Sequence, residues 1–461
     1  MNWQAMQKDM IRRSRELFKI SAPLAIEQVC VMFMGVVSTA MVSSVGEYAI
    51  SAVGMIDSIS ALIISLLSAL ATGGTIVVAQ FIGMGQRLKA KQASGQSVIL
   101  SLGFALIIFS LFLFLRKPIV LGLFGDTEPE VIEAGLRFLM IVNFSFPILA
   151  VTQTISGVMR GSGDTGTPMI ISIIMNVINI AIGFPLIKGL DFWFIHIPSF
   201  GVTGAAIALV AARFVGMCIG IYLIVFRSKT MRMNQWRYFK PDFSIQKTVL
   251  NLGIPTGVES SLFQVGKLIT QVYIVAMGTA AIAANTIGGS ILGFINVPGN
   301  AFALGTMILV GQKIGRGEPE DVSKSGAFAI GMGSLFFLAL CVICFIFTDQ
   351  IIAIYQPSPL AGAHLRQMLH AGFIATPLFW GISFITPAVL RATGDVKYTM
   401  VVAIISMFAV RIVLGYVLGV MLHMNVLGVW MGMFADWIIR GAFFIWRLAS
   451  GKWRQKGIKM E

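Results

Sequence analysis

Charged side chains are scarce in this sequence. Only 12% of its 461 residues are Asp, Glu, Lys or Arg, about half the roughly 25% usual in soluble domains. The shortage is concentrated. Phe18 to Val45, Ala93 to Leu115, Met169 to Ile187 and Ile330 to Phe347 carry almost no ionised group. A helix needs roughly 20 apolar residues to cross a bilayer, and twelve such spans can be marked out along the chain, which excludes a soluble globular fold. Cysteine is also sparse. Cys30, Cys218, Cys341 and Cys344 all fall inside spans, so no disulfide framework follows. Cys341-x-x-Cys344 has a redox spacing but lacks a βαβ context, and reads as apolar packing. The four histidines form no metal-ligand spacing with a cysteine or carboxylate, so neither a metal nor a cofactor is expected.

The charge that is present has one dominant sign, with 34 Lys and Arg against 20 Asp and Glu. About 25 of the basic residues lie in the two tails and in alternate loops, while only Arg116, Lys117 and Lys188 lie in the intervening loops. That asymmetry predicts cytoplasmic termini and a multi-pass protein of the inner membrane. It also speaks against nucleic acid as a partner, because the basic residues sit at helix ends rather than on one face. The basic N-terminus does not resemble a cleaved signal, since the apolar run after it is too long and has no small-residue cleavage site.

The sequence is written twice. At an offset of 232, Pro23 and Glu27 fall on Pro255 and Glu259, and Gly46 falls on Gly278. Gln80, Ile82, Gly83 and Gly85 fall on Gln312, Ile314, Gly315 and Gly317. After a slip of one residue, Arg160, Gly163 and Asp164 fall on Arg391, Gly394 and Asp395. Six spans per half is an even number, so both halves enter from the same side. The division expected is a tail over 1–16, an N-lobe over 17–227, a basic linker over 228–245, a C-lobe over 246–448 and a tail over 449–461. Transporters built from such repeats hold their substrate near the midplane.

Two turn motifs recur. Gly83-x-Gly85 and Gly315-x-Gly317 close the second span of each half and read as helix ends, because glycine tolerates positive φ. Arg160-x-x-Gly163-Asp164 and Arg391-x-x-Gly394-Asp395 follow each fourth span. They read as turns with a helix-capping Asp, or as latches that close an inner gate.

Charges within spans are costly and need a reason. Glu27 and Glu259 each follow a proline by four residues in the first helix of their half. A carboxylate on a kinked helix suits a proton, a sodium ion or a cationic substrate, and the alternative is an inert, hydrogen-bonded acid. Lys267 lies two turns beyond Glu259, where it would neutralise an acid such as Asp57 or attract an anionic group. Asp436 and Arg440 are spaced for an intrahelical salt bridge.

Taken together, the proline in each first helix, the Gln-x-x-Gly-x-Gly and the Arg-x-x-Gly-Asp resemble those of the MATE family, the multidrug and toxic compound extrusion transporters. The resemblance implies an all-α integral membrane fold of twelve helices in two parallel six-helix lobes, arranged in a V. It also implies a monomeric secondary active exporter of small amphipathic or cationic organic molecules, working by alternating access and driven by inward proton or sodium flow. Where many family members carry an aspartate in the first helix, this chain has Val37-Ser38-Thr39, which leaves Glu259 and Glu27 as coupling candidates. A flippase for a lipid-linked precursor shares the scaffold and is the second reading. An enzyme is not expected, because no catalytic cluster appears at a membrane edge.

Overall fold

The computed structural model describes residues 3–125, 128–192, 195–228 and 230–455. The final residues of the tail and Lys229 of the linker lie outside that set. The architecture is helical. The first half holds α1 (Trp3–Val42), α2 (Glu47–Gly83), α3 (Arg87–Phe124), α4 (Pro129–Asn143), α5 (Ser145–Gly161), α6 (Gly166–Lys188) and α7 (Gly201–Tyr222). The second half holds α8 (Phe243–Ala276), α9 (Thr279–Gly315), α10 (Pro319–Ile346), α11 (Thr348–Tyr355), α12 (Pro359–Ala375), α13 (Gly381–Ala392), α14 (Val396–Ile405), α15 (Val413–Tyr416) and α16 (Asn425–Ala449). A short antiparallel hairpin, Leu190–Phe192 with Ile195–Ile197, interrupts the all-helical pattern between α6 and α7.

Among the described residues, ten helices are long and apolar enough to cross a membrane, and α4 with α5 makes an eleventh that is bent by 47°. Pro147, just inside α5, has no N–H to give the carbonyl four residues back, and its ring clashes there, which accounts for the bend. The twelfth expected span is α8. It is as long as the others, at 34 residues, but Glu259, Gln264, Lys267 and Gln271 keep it out of the apolar class.

The chain divides into two compact units, residues 26–257 and residues 1–25 with 258–461. Both first helices, α1 and α8, begin in one unit and end in the other, and the two crossing points are again 232 residues apart. Each lies just past the proline inside that helix, Pro23 in α1 and Pro255 in α8. The stretch expected as a tail, 1–16, belongs to α1 from Trp3 onward. Arg13 ties it down by pairing with Asp321 at 2.5 Å and donating to Ser325 Oγ at 2.9 Å. The linker is pinned as well. Buried Gln96 on α3 donates to the Lys240 carbonyl at 2.7 Å and accepts from Gln246 at 2.8 Å.

In the unit of residues 26–257 the core gathers around Ile56, Leu67, Leu139 and Phe146. In the other unit it gathers around Phe337, Leu365, Leu369 and Trp380. There Gly428 and Gly432 of α16 press on the backbone at Gly419 and Gly415, so closely that an added Cβ would collide with main chain. Small residues let helix backbones approach in this way.

The repeated turns have the form the sequence predicts. Gly85 and Gly317 have φ of 73° and 74°, and Gly163 and Gly394 both have φ of 92°. Each carries the paired hydrogen bonds of a Schellman motif, for example Gln86 N to Phe81 O at 2.9 Å and Glu318 N to Lys313 O at 3.1 Å.

Candidate functional site

The glutamates of the first helices and the arginines of the turns, separated by more than a hundred residues, meet. Arg160 Nη1 donates to Glu27 Oε1 at 2.6 Å. Arg391 Nη2 donates to Glu259 Oε1 at 3.4 Å. Both arginines occupy the last turn of their helix, where the backbone dipole favours a cation. In each pair the second carboxylate oxygen and the arginine Nε are buried without a hydrogen-bond partner. The neighbouring aspartates diverge. Asp164 caps α6, accepting from the Thr167 amide at 3.0 Å and its hydroxyl at 2.7 Å. Asp395 instead accepts from Arg447 Nε at 2.6 Å. Asp57 is exposed on α2 and lies within electrostatic reach of Arg213, which donates to Ser145 Oγ at 2.5 Å.

A cavity of about 430 Å³ lies wholly within the unit that holds residues 258–461. Lys267 opens onto it, and Glu259 does not line it. Arg411 lines it as well. Two π-helical turns, Thr376–Trp380 and Ser406–Ile412, shift the helix register at the points where Trp380 and Arg411 enter the wall. Such extra residues in a helix often mark functional positions. Trp430 and Trp437 complete the aromatic face. One polar wall is fixed by a chain of bonds, Trp430 Nε1 to Asn285 Oδ1 at 2.9 Å and Asn285 Nδ2 to Gln271 Oε1 at 2.9 Å.

The ring of Phe263 lies beneath three cations, with Lys267, Arg411 and Arg440 at 5.3, 5.5 and 5.8 Å from its centroid. The expected salt bridge between Asp436 and Arg440 is loose, at 3.9 Å. Ser406 Oγ holds Asp436 Oδ1 at 2.5 Å, and Arg440 Nε donates to Ser383 at 2.9 Å, so competing hydroxyls draw the two apart. No group of three or more possible metal ligands occurs among the described residues.

A duplicated bundle of membrane helices, with a glutamate–arginine pair repeated in each half and a cavity inside one of them, has the build of a polytopic membrane transporter. Comparison with known proteins narrows the class. The MatE family model matches residues 23–184 and again 255–417, once in each half, and the chain belongs to that family. It is 31% identical to an uncharacterized transporter of Bacillus subtilis, YisQ, over 96% of this chain and 95% of that one. It is 28% identical to a probable multidrug resistance protein, NorM, of Thermotoga maritima, over 96% and 94%. Its fold matches a MATE family transporter of the MOP superfamily in an outward-facing conformation, with a TM-score of 0.86 at 20% identity, over 95% of this chain and 97% of that one. The chain is therefore a multi-pass membrane transporter of small molecules rather than an enzyme.

Proposed function

We propose that the chain is a secondary active exporter of small amphipathic or cationic organic molecules. It works by alternating access, driven by inward flow of protons or sodium ions, and sits in the inner membrane as a monomer with both termini cytoplasmic. The observation that carries this reading is the glutamate–arginine pair repeated in both halves. A carboxylate in a span is stable there only while a positive charge accompanies it. Such a carboxylate can exchange an arginine for a transported cation as the protein changes state. Glu259, with one oxygen unpartnered and the other at 3.4 Å from Arg391, is the better placed for that exchange.

The test is transport by purified protein in liposomes, with proton and sodium gradients imposed separately and a panel of cationic dyes inside. Dye movement that follows one gradient supports the reading, and movement indifferent to both defeats it. A reporter fused after Lys456 should report the cytoplasm, and a periplasmic signal would defeat the topology.

The flippase reading draws support from Lys267 and Arg411, which give the cavity a cationic character. The volume of about 430 Å³ argues against it, because pockets of roughly 300–1,000 Å³ take drug-sized ligands rather than a long lipid-linked chain.

A further inference from the structure

The cavity in the unit of residues 258–461 has a charge balance that its own side chains do not close. Lys267, Arg411 and Arg440 surround Phe263, and Asp436 is the one carboxylate among them. Glu259 does not change the sum, because Arg391 already accompanies it. Among the described residues no carboxylate lines the cavity, whereas two of the cations do. Lys267 has no ion-pair partner among the described residues, and its described contact is the face of Phe263. A ring face offsets a cation by only about 0.5–2 kcal/mol, and the Lys267 side chain stands exposed at the cavity wall, open to a ligand's anionic group.

The rest of the lining specifies the shape of what would balance it. Trp380 is stacked on Phe384 at 4.7 Å, and Trp430 and Trp437 stand close by in the same wall. The first helix of the other half has none of this. At the offset that aligns Glu27 with Glu259, Phe263 and Lys267 fall on Val31 and Gly35. The repeat keeps the ion pair in both halves but places this lysine and its ring in one.

We propose that this cavity binds a planar aromatic organic anion. Lys267 and Arg411 hold its carboxylate or phosphate, and the indoles take the ring. Its charge preference is independent of the exporter reading; its standing as a cargo site rests on that reading, with an amphipathic anion rather than a cation as the cargo held here.

The experiment is equilibrium binding to the purified full chain in detergent, read by quenching of tryptophan fluorescence and by calorimetry. The probes are 4-methylumbelliferyl phosphate, its neutral parent 4-methylumbelliferone, and the cation ethidium. The phosphate should bind at least tenfold more tightly than the neutral parent, and more weakly as salt rises. Lys267→Gln and Arg411→Gln should each lower its affinity at least tenfold and leave the neutral parent within about twofold. Lys267→Arg, which keeps the charge, should retain most of the binding and controls for folding. Equal affinity for the phosphate and its parent would overturn the proposal, as would tighter binding of ethidium or indifference to both Gln changes. Tighter binding of dioctanoyl phosphatidic acid than of the aryl phosphate would overturn the aromatic part in favour of a lipid headgroup. Because no gradient is involved, failure of gradient-driven transport leaves this result standing, and the reverse is also true.

Discussion

In the first half, Arg160 reaches Glu27 at 2.6 Å, and the two side chains are 14% and 7% exposed. In the second half, Arg391 reaches Glu259 at 3.4 Å, and the exposures are 23% and 14%. The sequence positions are equivalent, yet the first pair is closed and the second is slack. The aspartate that follows each arginine differs in the opposite sense, since Asp164 stays within its own turn and Asp395 pairs tightly with Arg447. Duplication preserved the charges, and divergence of the surrounding side chains set how tightly they are held. A tight pair is suited to holding a bundle together, and a slack one to exchanging partners.

The comparison is broken most easily through the arginines. Arg160→Ala leaves Glu27 buried without its partner, and should cost about 3–5 kcal/mol of stability. Arg391→Ala should cost about 1–3 kcal/mol, because the pair is longer and less buried. Thermal unfolding of the two purified variants checks the order, and equal losses would show that the two pairs are held alike. The aspartates give the next largest difference, in the opposite direction. Asp395→Ala strands Arg447 in a nearly buried ion pair and should cost roughly 3 kcal/mol, whereas Asp164→Ala removes a helix cap worth about 1 kcal/mol. The same unfolding assay ranks them, and a larger loss at Asp164 would mean that its Thr167 bonds are not the whole of its role. The turn glycines should show no difference between halves. Gly85→Ala and Gly317→Ala each place a side chain at φ near 73° with open space around it, so each should cost about 1–2 kcal/mol from backbone strain alone. Unequal effects at these two positions would sharpen the account by revealing a contact made in one half only.

Much of this was legible in the sequence, and the exceptions have physical reasons. The offset of 232 foretold the glycine turns, because a positive φ is a local demand that only certain residues meet. The same offset marks where each first helix passes from one unit to the other. The sequence singles out Glu27 and Arg160 but does not join them. They lie 133 positions apart, and nothing local joins a carboxylate in one helix to a turn four helices later. The signal available was that both partners recur together in the second half. The cavity was harder still, since its wall is assembled from four helices and from two π turns that carry Trp380 and Arg411 into it. Lys267 was noticed because a charge in a span is conspicuous, but the company it keeps is a property of packing. The polarity of α8 was visible residue by residue, and it is why that span falls below the apolarity of the others.

The central claim is that the slack pair carries ion coupling and the tight pair carries structure. It is tested most directly by reconstituting Glu259→Gln and Glu27→Gln side by side and measuring gradient-driven dye transport at equal amounts of folded protein. Glutamine keeps the shape and one hydrogen-bonding oxygen while removing the charge. The account predicts at least a tenfold loss of transport in Glu259→Gln, with folded protein still accumulating, and a Glu27→Gln protein whose main defect is stability. Normal transport by Glu259→Gln, together with loss of transport in a stable Glu27→Gln, would contradict it and move coupling to the first half.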